Sequence, residues 1–509
     1  MVSTKIKNYS LILLLILAIG SFFRLWQLET IPPGLWSDEA INANQAISSP
    51  GKIFYPENQG REGLFMNLIH LSFSVLGISI FSFRIVPAIL GILTILGLYL
   101  LAKELFKNEH IALLSSFFLA TSFWHINFSR IGFRAILVPF ILVFAFYFLF
   151  LGFRKKSFWP FLASGIFFGL GFYTYIAFRV AVIILIFVLI FWWFIYKKQG
   201  SQKKYFQFTI PCLFLIFLIA LPICFYFLQN PSDFISRAEG VSVFAQDSNF
   251  PLSQFKAFFI SAGKHLAMFN IYGDPNWRHN FSGAPELFWP IGILFLIGLF
   301  LSIKKIFTKK SPALSYWTLV VWFLVMLLPG VLSYEGLPHS LRVIGVIPVV
   351  YIFAGIGGVF IFEKIKKFLK SPKLFYLVLI IFLVFITFSQ FHKYFISWGQ
   401  NEKVKEAFSQ DLVEMGNYLK DTPLEIKKYV IIYGGDMPVE TIKFILETSK
   451  EKHEVNYILP TEISSIKIEK ETIILPMEKD EELLYELWQK FPQGEIQSKN
   501  RFWVYKINY

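Results

Sequence analysis

Two adjacent carboxylates, Asp38 and Glu39, are the residues of this sequence whose type and position most clearly suggest chemistry. They follow the first hydrophobic stretch, residues 11–28, after a short proline-containing segment at residues 31–37. Carboxylates beside a membrane are costly unless water, a cation or a reaction uses them, and a carboxylate can take the proton of an attacking hydroxyl group. The same pair is also typical of a helix N-terminus, since residues 40–43 could continue as a helix.

Arginines and histidines near the ends of later hydrophobic stretches could complete a site with this pair. The planar guanidinium group of arginine donates parallel hydrogen bonds to phosphate. A carboxylate with several arginines suits a hydroxyl nucleophile and a lipid-phosphate leaving group that meet at a membrane surface. The candidate catalytic residues are Asp38 and Glu39, the candidate phosphate-binding residues are Arg61, Arg130, Arg134 and Arg342, and the candidate substrate-binding residues are Glu62, Arg278, His279 and His339.

Each of these candidates also has a simpler interpretation. Arginines at the ends of spans commonly extend toward lipid headgroups, and Arg61 with Glu62 can form a local ion pair. The spacing of His279 and His339 does not match a metal-ligand pattern, which favours structural roles for both histidines. The prediction therefore names no metal ligand.

The composition places these residues in a polytopic membrane protein. Of the 509 residues, 55% are hydrophobic and 16% are charged, whereas globular domains carry about 25% charged residues. The net charge of +14 does not indicate nucleic-acid binding, because lysine and arginine cluster in alternate short gaps between apolar stretches, which is the positive-inside pattern of membrane proteins. These gaps are residues 154–156, 197–204, 304–310 and 364–373.

Apolar stretches of about 17–23 residues predict about eleven transmembrane helices. Residues 63–77 are not counted, because their polar residues recur at helical spacing and favour an amphipathic helix on the membrane surface. Counting that segment would place the cationic gaps outside, against the charge rule. The predicted spans lie near residues 10–28, 85–102, 111–128, 136–153, 159–176, 180–196, 206–228, 287–303, 313–330, 343–362 and 374–391.

The segments between and after the spans suggest where function resides. The first outer loop covers residues 29–84, and a long outer segment at residues 229–286 is typical of a lid or binding loop. We predict a mainly α transmembrane catalytic domain over residues 1–391, with surface helices in its first outer loop. The charged tail, residues 392–509, alternates predicted strands and helices and is expected to be a small extracytoplasmic α/β domain.

The order of these features resembles the GT-C glycosyltransferases. The resemblance is strongest to the protein O-mannosyltransferase and aminoarabinose-transferase group (family 39 and its bacterial relatives), whose members carry an Asp-Glu pair early in the first outer loop. It covers roughly residues 1–390, and its weight comes from the position of a short motif in the topology. The matching segments are Trp36–Ala40, Gly60–Phe65, Ser129–Arg134, Gly273–Asn280 and Gly283–Pro285.

The resemblance implies transfer of a sugar from a polyprenyl-phosphate donor to an acceptor, with inversion at the anomeric carbon. It implies that Asp38 is the general base, that Glu39 supports it, and that outer arginines, above all Arg134 and Arg342, hold the donor phosphate. Some relatives have an acid in the second outer turn, where this chain has Arg130 and no carboxylate. A second catalytic acid and the identity of the substrate therefore stay open.

We expect an integral protein of the bacterial plasma membrane, with its N-terminus in the cytoplasm and its C-terminal domain outside. The expected partners are a polyprenyl-phosphate-linked sugar, membrane lipids and a protein, lipid or glycan acceptor, with no nucleic acid. No cofactor is expected, although a divalent cation is left open by the outer acids Glu57, Glu62 and Asp274. The alternatives are a transporter or flippase with an outer ligand-binding domain, and a metal-dependent oligosaccharyltransferase.

Overall fold

The computed structural model describes residues 2–234, 251–308 and 313–508. Contacts between residues divide the chain into two compact units. Unit 1 contains residues Met1–Trp26, Gly51–Asn67 and Ile85–Trp398, and unit 2 contains Gln27–Pro50, Leu68–Arg84 and Gly399–Tyr509. The C-terminal tail is thus grouped with most of the first predicted outer loop, and the division between residues 391 and 392 stays a proposal.

Helices account for most of the first four hundred residues. Within the described ranges, eight of them are long and apolar enough to cross a membrane by length and composition, and they coincide with eight of the predicted spans. In chain order the helices are α1 (Val2–Leu25), α2 (Ser37–Ser48), α3 (Leu64–Leu76), α4 (Ile80–Phe106), α5 (Glu109–Ala120), α6 (Phe123–Phe128), α7 (Leu137–Lys155), α8 (Phe158–Gly171), α9 (Ala181–Lys198), α10 (Gln202–Gln229), α11 (Pro251–Ala267), α12 (Trp289–Ile306), α13 (Ala313–Val331), α14 (Ile347–Leu369) and α15 (Pro372–Phe391).

The other three predicted spans correspond to shorter apolar helices, in α1, α5 and α8. The predicted span 111–128 is divided into α5 and α6 because Ser122 caps a new helix, its hydroxyl accepting a hydrogen bond from His125 N at 3.2 Å. Within the segment 63–77, Leu64–Leu76 form the thirteen-residue apolar helix α3, which is among the shorter apolar helices, like those in α1, α5 and α8; its place on the membrane surface stays a prediction. The mainly helical membrane fold is thereby confirmed.

The C-terminal part of unit 2 is the predicted α/β domain. Its five strands form a mixed sheet in the order β4-β3-β5-β7-β6, in which β3 is parallel to β4 and β5, and β7 is antiparallel to β5 and β6. Strands β1 (Phe54–Tyr55) and β2 (Arg61–Glu62) form a separate two-stranded hairpin in unit 1. The elements are α16 (Glu402–Ala407), α17 (Gln410–Asp421), β3 (Lys427–Ile431), α18 (Val439–Glu447), β4 (Asn456–Ile458), β5 (Thr472–Pro476), α19 (Glu481–Lys490), β6 (Gly494–Ser498) and β7 (Trp503–Ile507).

This sheet buries apolar side chains on both of its faces, as expected for an α/β layer. Helices α17 and α18 cover one face and α19 covers the other. Helix α18 also packs against α2, where the Thr441 hydroxyl donates to Leu35 O at 3.2 Å and the Asn44 amide donates to Glu440 Oε2 at 2.7 Å. The C-terminal domain thus packs against α2, the helix that contains Asp38 in its first turn.

Candidate functional site

Asp38 and Glu39 lie in the first turn of α2, where their environments differ. Glu39 is fully buried, and its Oε2 accepts a hydrogen bond from the backbone N of Trp36 at 3.3 Å. This carboxylate therefore closes the helix N-terminus in capping-box fashion. Asp38 is partly exposed. Of the two neighbours, Asp38 is the one with solvent-accessible surface and Glu39 is built into the fold.

Arg84, at the start of α4, fixes the segment that precedes α2. Its guanidinium is fully buried and donates to four backbone carbonyls before α2: Pro32 O at 2.8 Å, Gly34 O at 2.7 Å, Glu29 O at 3.2 Å and Leu28 O at 3.4 Å. Its Nε lies 3.9 Å from Glu39 Oε1, so the buried carboxylate has a buried cation beside it. Arg84 was not predicted to have this role, because only the fold brings it to a loop some fifty residues earlier.

Glu62 forms ion pairs with two arginines that lie in different turns of unit 1. Arg134 Nε donates to Glu62 Oε2 at 3.1 Å, and Arg179 NH2 lies 3.7 Å from Glu62 Oε1. The turn that presents Glu62 is tight: Gly60, just before β2, has a φ of 80°. The turns that carry Arg134 and Arg179 therefore lie next to the hairpin of the first predicted outer loop. Arg179 was not among the predicted site residues.

The remaining predicted arginines differ in the partners they already have. Arg130 is fully buried and donates to Phe23 O at 2.9 Å and Trp26 O at 2.8 Å. Arg342 donates to Glu335 Oε2 at 2.7 Å, and the Glu335 side chain is 65% exposed. Arg61 and Arg278 also belong to unit 1, Arg61 being buried and Arg278 partly exposed.

Asp274, His279 and His339 form a cluster that brings together two predicted substrate-binding residues. Asp274 Oδ2 lies 3.0 Å from His279 Nδ1 and 3.8 Å from His339 Nδ1. The same oxygen accepts hydrogen bonds from Ser340 N at 2.8 Å and Ser340 Oγ at 2.9 Å. An aspartate is thus held between two histidines that are sixty residues apart in sequence.

The loop that carries Asp274 is folded by local polar contacts. Asn276 N donates to Asp274 Oδ1 at 2.8 Å, a turn typical of Asp-Pro-Asn sequences. Gly283, with a φ of 74°, closes the loop, since its N donates to Asp274 O at 2.9 Å. His279 is thereby brought back against Asp274.

Electrostatics in this cluster favour a charged Asp274. Burial raises the pKa of the Asp274 carboxyl, but His279, His339 and the Asn276 backbone N–H lower it more, so that the pKa lies well below its usual range. The adjacent Glu286, whose Oε1 accepts from Asp274 N at 3.1 Å, has a pKa raised well above its usual range by burial and by the Asp274 charge. Sequence reasoning did not identify Glu286 or Ser340, because neither stands in a recognisable motif.

Comparisons with known proteins support the fold. Residues 64–226 match the family model described as dolichyl-phosphate-mannose-protein mannosyltransferase. Two structures of ArnT from Cupriavidus metallidurans, one in the apo state and one bound to undecaprenyl phosphate, are similar to this chain, with TM-scores of 0.58 and 0.55. Both are 11% identical in sequence, and each match covers 99% of this chain and 98% of that chain.

A more distant likeness is to the Archaeoglobus fulgidus oligosaccharyltransferase tethered with an acceptor peptide, at 12% identity and a TM-score of 0.49, covering 86% of this chain and 63% of that one. No curated protein matches the sequence significantly. The fold is similar to that of ArnT over almost the whole chain, and residues 64–226 match the mannosyltransferase family model, so both comparisons support the resemblance predicted from the sequence.

Proposed function

We propose that this protein is an integral membrane glycosyltransferase that moves a sugar from a polyprenyl-phosphate donor to a hydroxyl acceptor, with inversion at the anomeric carbon. The observation that carries the proposal is the pair Asp38 and Glu39, of which one is partly exposed and the other is buried and fixed. The family-model match and the ArnT-like fold support the reaction class. That an ArnT structure is bound to undecaprenyl phosphate supports the donor class.

In the proposed reaction, Asp38 is the general base. Its carboxylate takes the proton of the acceptor hydroxyl while the acceptor oxygen forms a bond to the anomeric carbon. The bond between that carbon and the phosphate oxygen breaks, and its electron pair leaves with the polyprenyl phosphate. Attack opposite the leaving group inverts the configuration. The departing phosphate needs no strong acid, because neighbouring cations stabilise its charge.

We assign Glu39 a supporting role. Its carboxylate is engaged by Trp36 N and lies 3.9 Å from Arg84 Nε, so it orients the first turn of α2 and leaves proton transfer to Asp38. The two carboxylates thus have different proposed roles because Asp38 is partly exposed and Glu39 is buried.

Arg134 and Arg342 are the arginines that we propose for the donor phosphate. Arg342 is the foremost of them, because its ion pair with the exposed Glu335 contributes only about 0–1 kcal/mol and can be exchanged for a phosphate. Arg134 would bind phosphate while still bonded to Glu62. Arg61 and Arg130 rank below them, since both are more deeply buried than Arg134 and Arg130 already donates to two backbone carbonyls.

The remaining predicted residues belong to the acceptor or sugar side of the proposal. We propose that Glu62, Arg278, His279 and His339 lie near the transferred sugar or its acceptor. The protein would act in the bacterial plasma membrane, with its reaction on the outer face, its N-terminus in the cytoplasm and the C-terminal domain outside.

The proposal is tested by incubating the purified protein with a panel of polyprenyl-phosphate sugars and hydroxyl acceptors. Release of polyprenyl phosphate with a product of inverted anomeric configuration, determined by nuclear magnetic resonance, is the expected result. A product with retained configuration would contradict the single-displacement mechanism. Transport of a donor without any sugar transfer would favour the transporter alternative.

A further inference from the structure

We propose that Asp274, His279 and His339 together bind one divalent metal ion, for which zinc is the best fit. One carboxylate oxygen and one ring nitrogen from each histidine lie within 4.8 Å of one another. Carboxylate oxygen and imidazole nitrogen are ligands that zinc accepts, and three protein ligands leave a fourth tetrahedral position open to water.

The distances suit an ion of this size. Zinc binds such atoms at about 2.0–2.1 Å, so two ligand atoms of a tetrahedral site lie roughly 3.3 Å apart. Asp274 Oδ2 lies 3.0 Å from His279 Nδ1 and 3.8 Å from His339 Nδ1, which brackets this value. The three candidate ligand atoms all lie within 4.8 Å of one another, so the side chains would move closer together around a bound ion.

Hydrogen bonds within the cluster do not account for the ring nitrogen Nδ1 of His339. This atom is buried and has no hydrogen-bond partner in the described part of the chain, and 3.8 Å from Asp274 Oδ2 is too long for a hydrogen bond. A buried polar atom without a hydrogen-bond partner is energetically unfavourable. An ion between the three side chains would give this nitrogen a partner.

The surroundings are those of a metal site with oriented ligands. Ser340 donates twice to the aspartate oxygen, as outer hydrogen bonds to metal-binding carboxylates do. The His339 backbone is fixed by its N–H, which donates to His265 Nε2 at 3.2 Å. The His279 ring lies against Phe128 and Phe133, with centroid distances of 5.8 and 6.2 Å. The ligands are thus fixed and partly shielded from water.

The ion would join two segments that are distant in sequence. Asp274 and His279 lie in the loop between α11 and α12, and His339 lies between α13 and α14. Because metal binding to such a site adds to the stability of the folded state, occupancy should also raise the unfolding temperature.

The test measures metal content and not sugar transfer, so its failure leaves the proposed function standing. The full-length protein is purified, stripped with chelator, dialysed against zinc and measured by elemental analysis and thermal unfolding. One zinc per chain and an unfolding temperature raised by zinc are expected. No bound zinc at tenfold molar excess would overturn the proposal.

Two variants decide whether the cluster holds the ion. His339→Phe keeps a ring of similar size and removes the nitrogen, so it should fold and bind zinc at least tenfold more weakly. His453→Phe, at a half-buried histidine of unit 2, is the matched control and should bind like the wild type. Zinc retained equally by His339→Phe, or lost equally by His453→Phe, would contradict the assignment.

Discussion

Asp38 and Glu39 show how burial separates two adjacent side chains of nearly identical chemistry. Consecutive positions in the first turn of a helix face different surroundings, so Glu39 contacts the Trp36 backbone and Arg84 while Asp38 keeps solvent-accessible surface. From the sequence, both the catalytic and the helix-capping interpretations were available. The structure gives the capping role to Glu39, and the catalytic role of Asp38 remains our proposal.

The proposed contact of Arg342 with the donor phosphate leads to a prediction for a single-residue variant. Arg342→Gln removes a cation proposed to bind the donor phosphate, and a charged hydrogen bond contributes about 1.5–3 kcal/mol. We therefore expect kcat/KM for the donor to fall roughly 10- to 150-fold. The measurement is initial-rate kinetics at varied donor concentration.

Arg501→Gln is the matched control for this variant. Arg501 also pairs with an exposed glutamate, Glu402, but lies in the C-terminal domain. Its exposed ion pair is of the same kind as that of Arg342, so loss of either pair should have a similarly small effect on stability. Equal rates for Arg342→Gln and Arg501→Gln would remove Arg342 from the donor site.

At the scale of elements, hydrophobic length predicted the long helices and alternating patterns predicted most of the tail. Strand β6 was missed, because Gly494–Ser498 carries mostly exposed residues and lacks an apolar face. The first helical part of the tail is divided into α16 and α17 at Ser409, whose φ of 49° no local pattern indicates. The Asp274 cluster could not be predicted either, since His339 reaches it only through tertiary packing.

Substitution of Gly34 tests whether the loop before α2 depends on a close backbone contact. Gly34 has a φ of 75°, and a Cβ atom there would meet the backbone of Phe408 and Gln410 in the same unit. Gly34→Ala therefore combines a left-handed conformation, costing about 1–2 kcal/mol, with overpacking that costs about 1–3 kcal/mol more. A lower unfolding temperature and reduced sugar transfer are expected, as measured by thermal unfolding and the transfer assay.

The control for Gly34 is Gly434→Ala. Gly434 has a φ of 73°, but no described atom lies within 4 Å of its added Cβ, so only the conformational cost applies. If the two alanine variants lowered the unfolding temperature equally, contact with Phe408 and Gln410 would not be what holds the loop.

At the scale of the whole molecule, the distribution of charge and the tertiary contacts support one topology. Glu104 pairs with Lys107 and with Arg154, which brings together two predicted cytoplasmic ends, while Glu62 gathers Arg134 and Arg179 from predicted outer turns. From the positive-inside rule, only the side of the membrane on which these turns lie could be predicted, and that orientation stays a prediction. The sequence could not predict that residues 399–509 pack in one unit with the segment that carries Asp38.

Cysteine labelling tests the orientation. In a variant lacking Cys212 and Cys224, Glu478→Cys should react with a membrane-impermeant maleimide added to intact cells, because the C-terminal domain is proposed to lie outside. Lys155→Cys, exposed in a predicted cytoplasmic turn, should react only after permeabilisation. The reverse pattern would place the proposed site in the cytoplasm.

The catalytic role of Asp38 is tested most directly by the turnover number of Asp38→Asn, with Glu29→Gln as a control at an exposed carboxylate of the same loop. General-base catalysis contributes about 10²- to 10⁴-fold to a rate. We expect polyprenyl-phosphate release by Asp38→Asn to fall by at least about 100-fold, with membrane insertion unchanged and Glu29→Gln close to the wild type. Wild-type turnover by a correctly inserted Asp38→Asn protein would contradict the account.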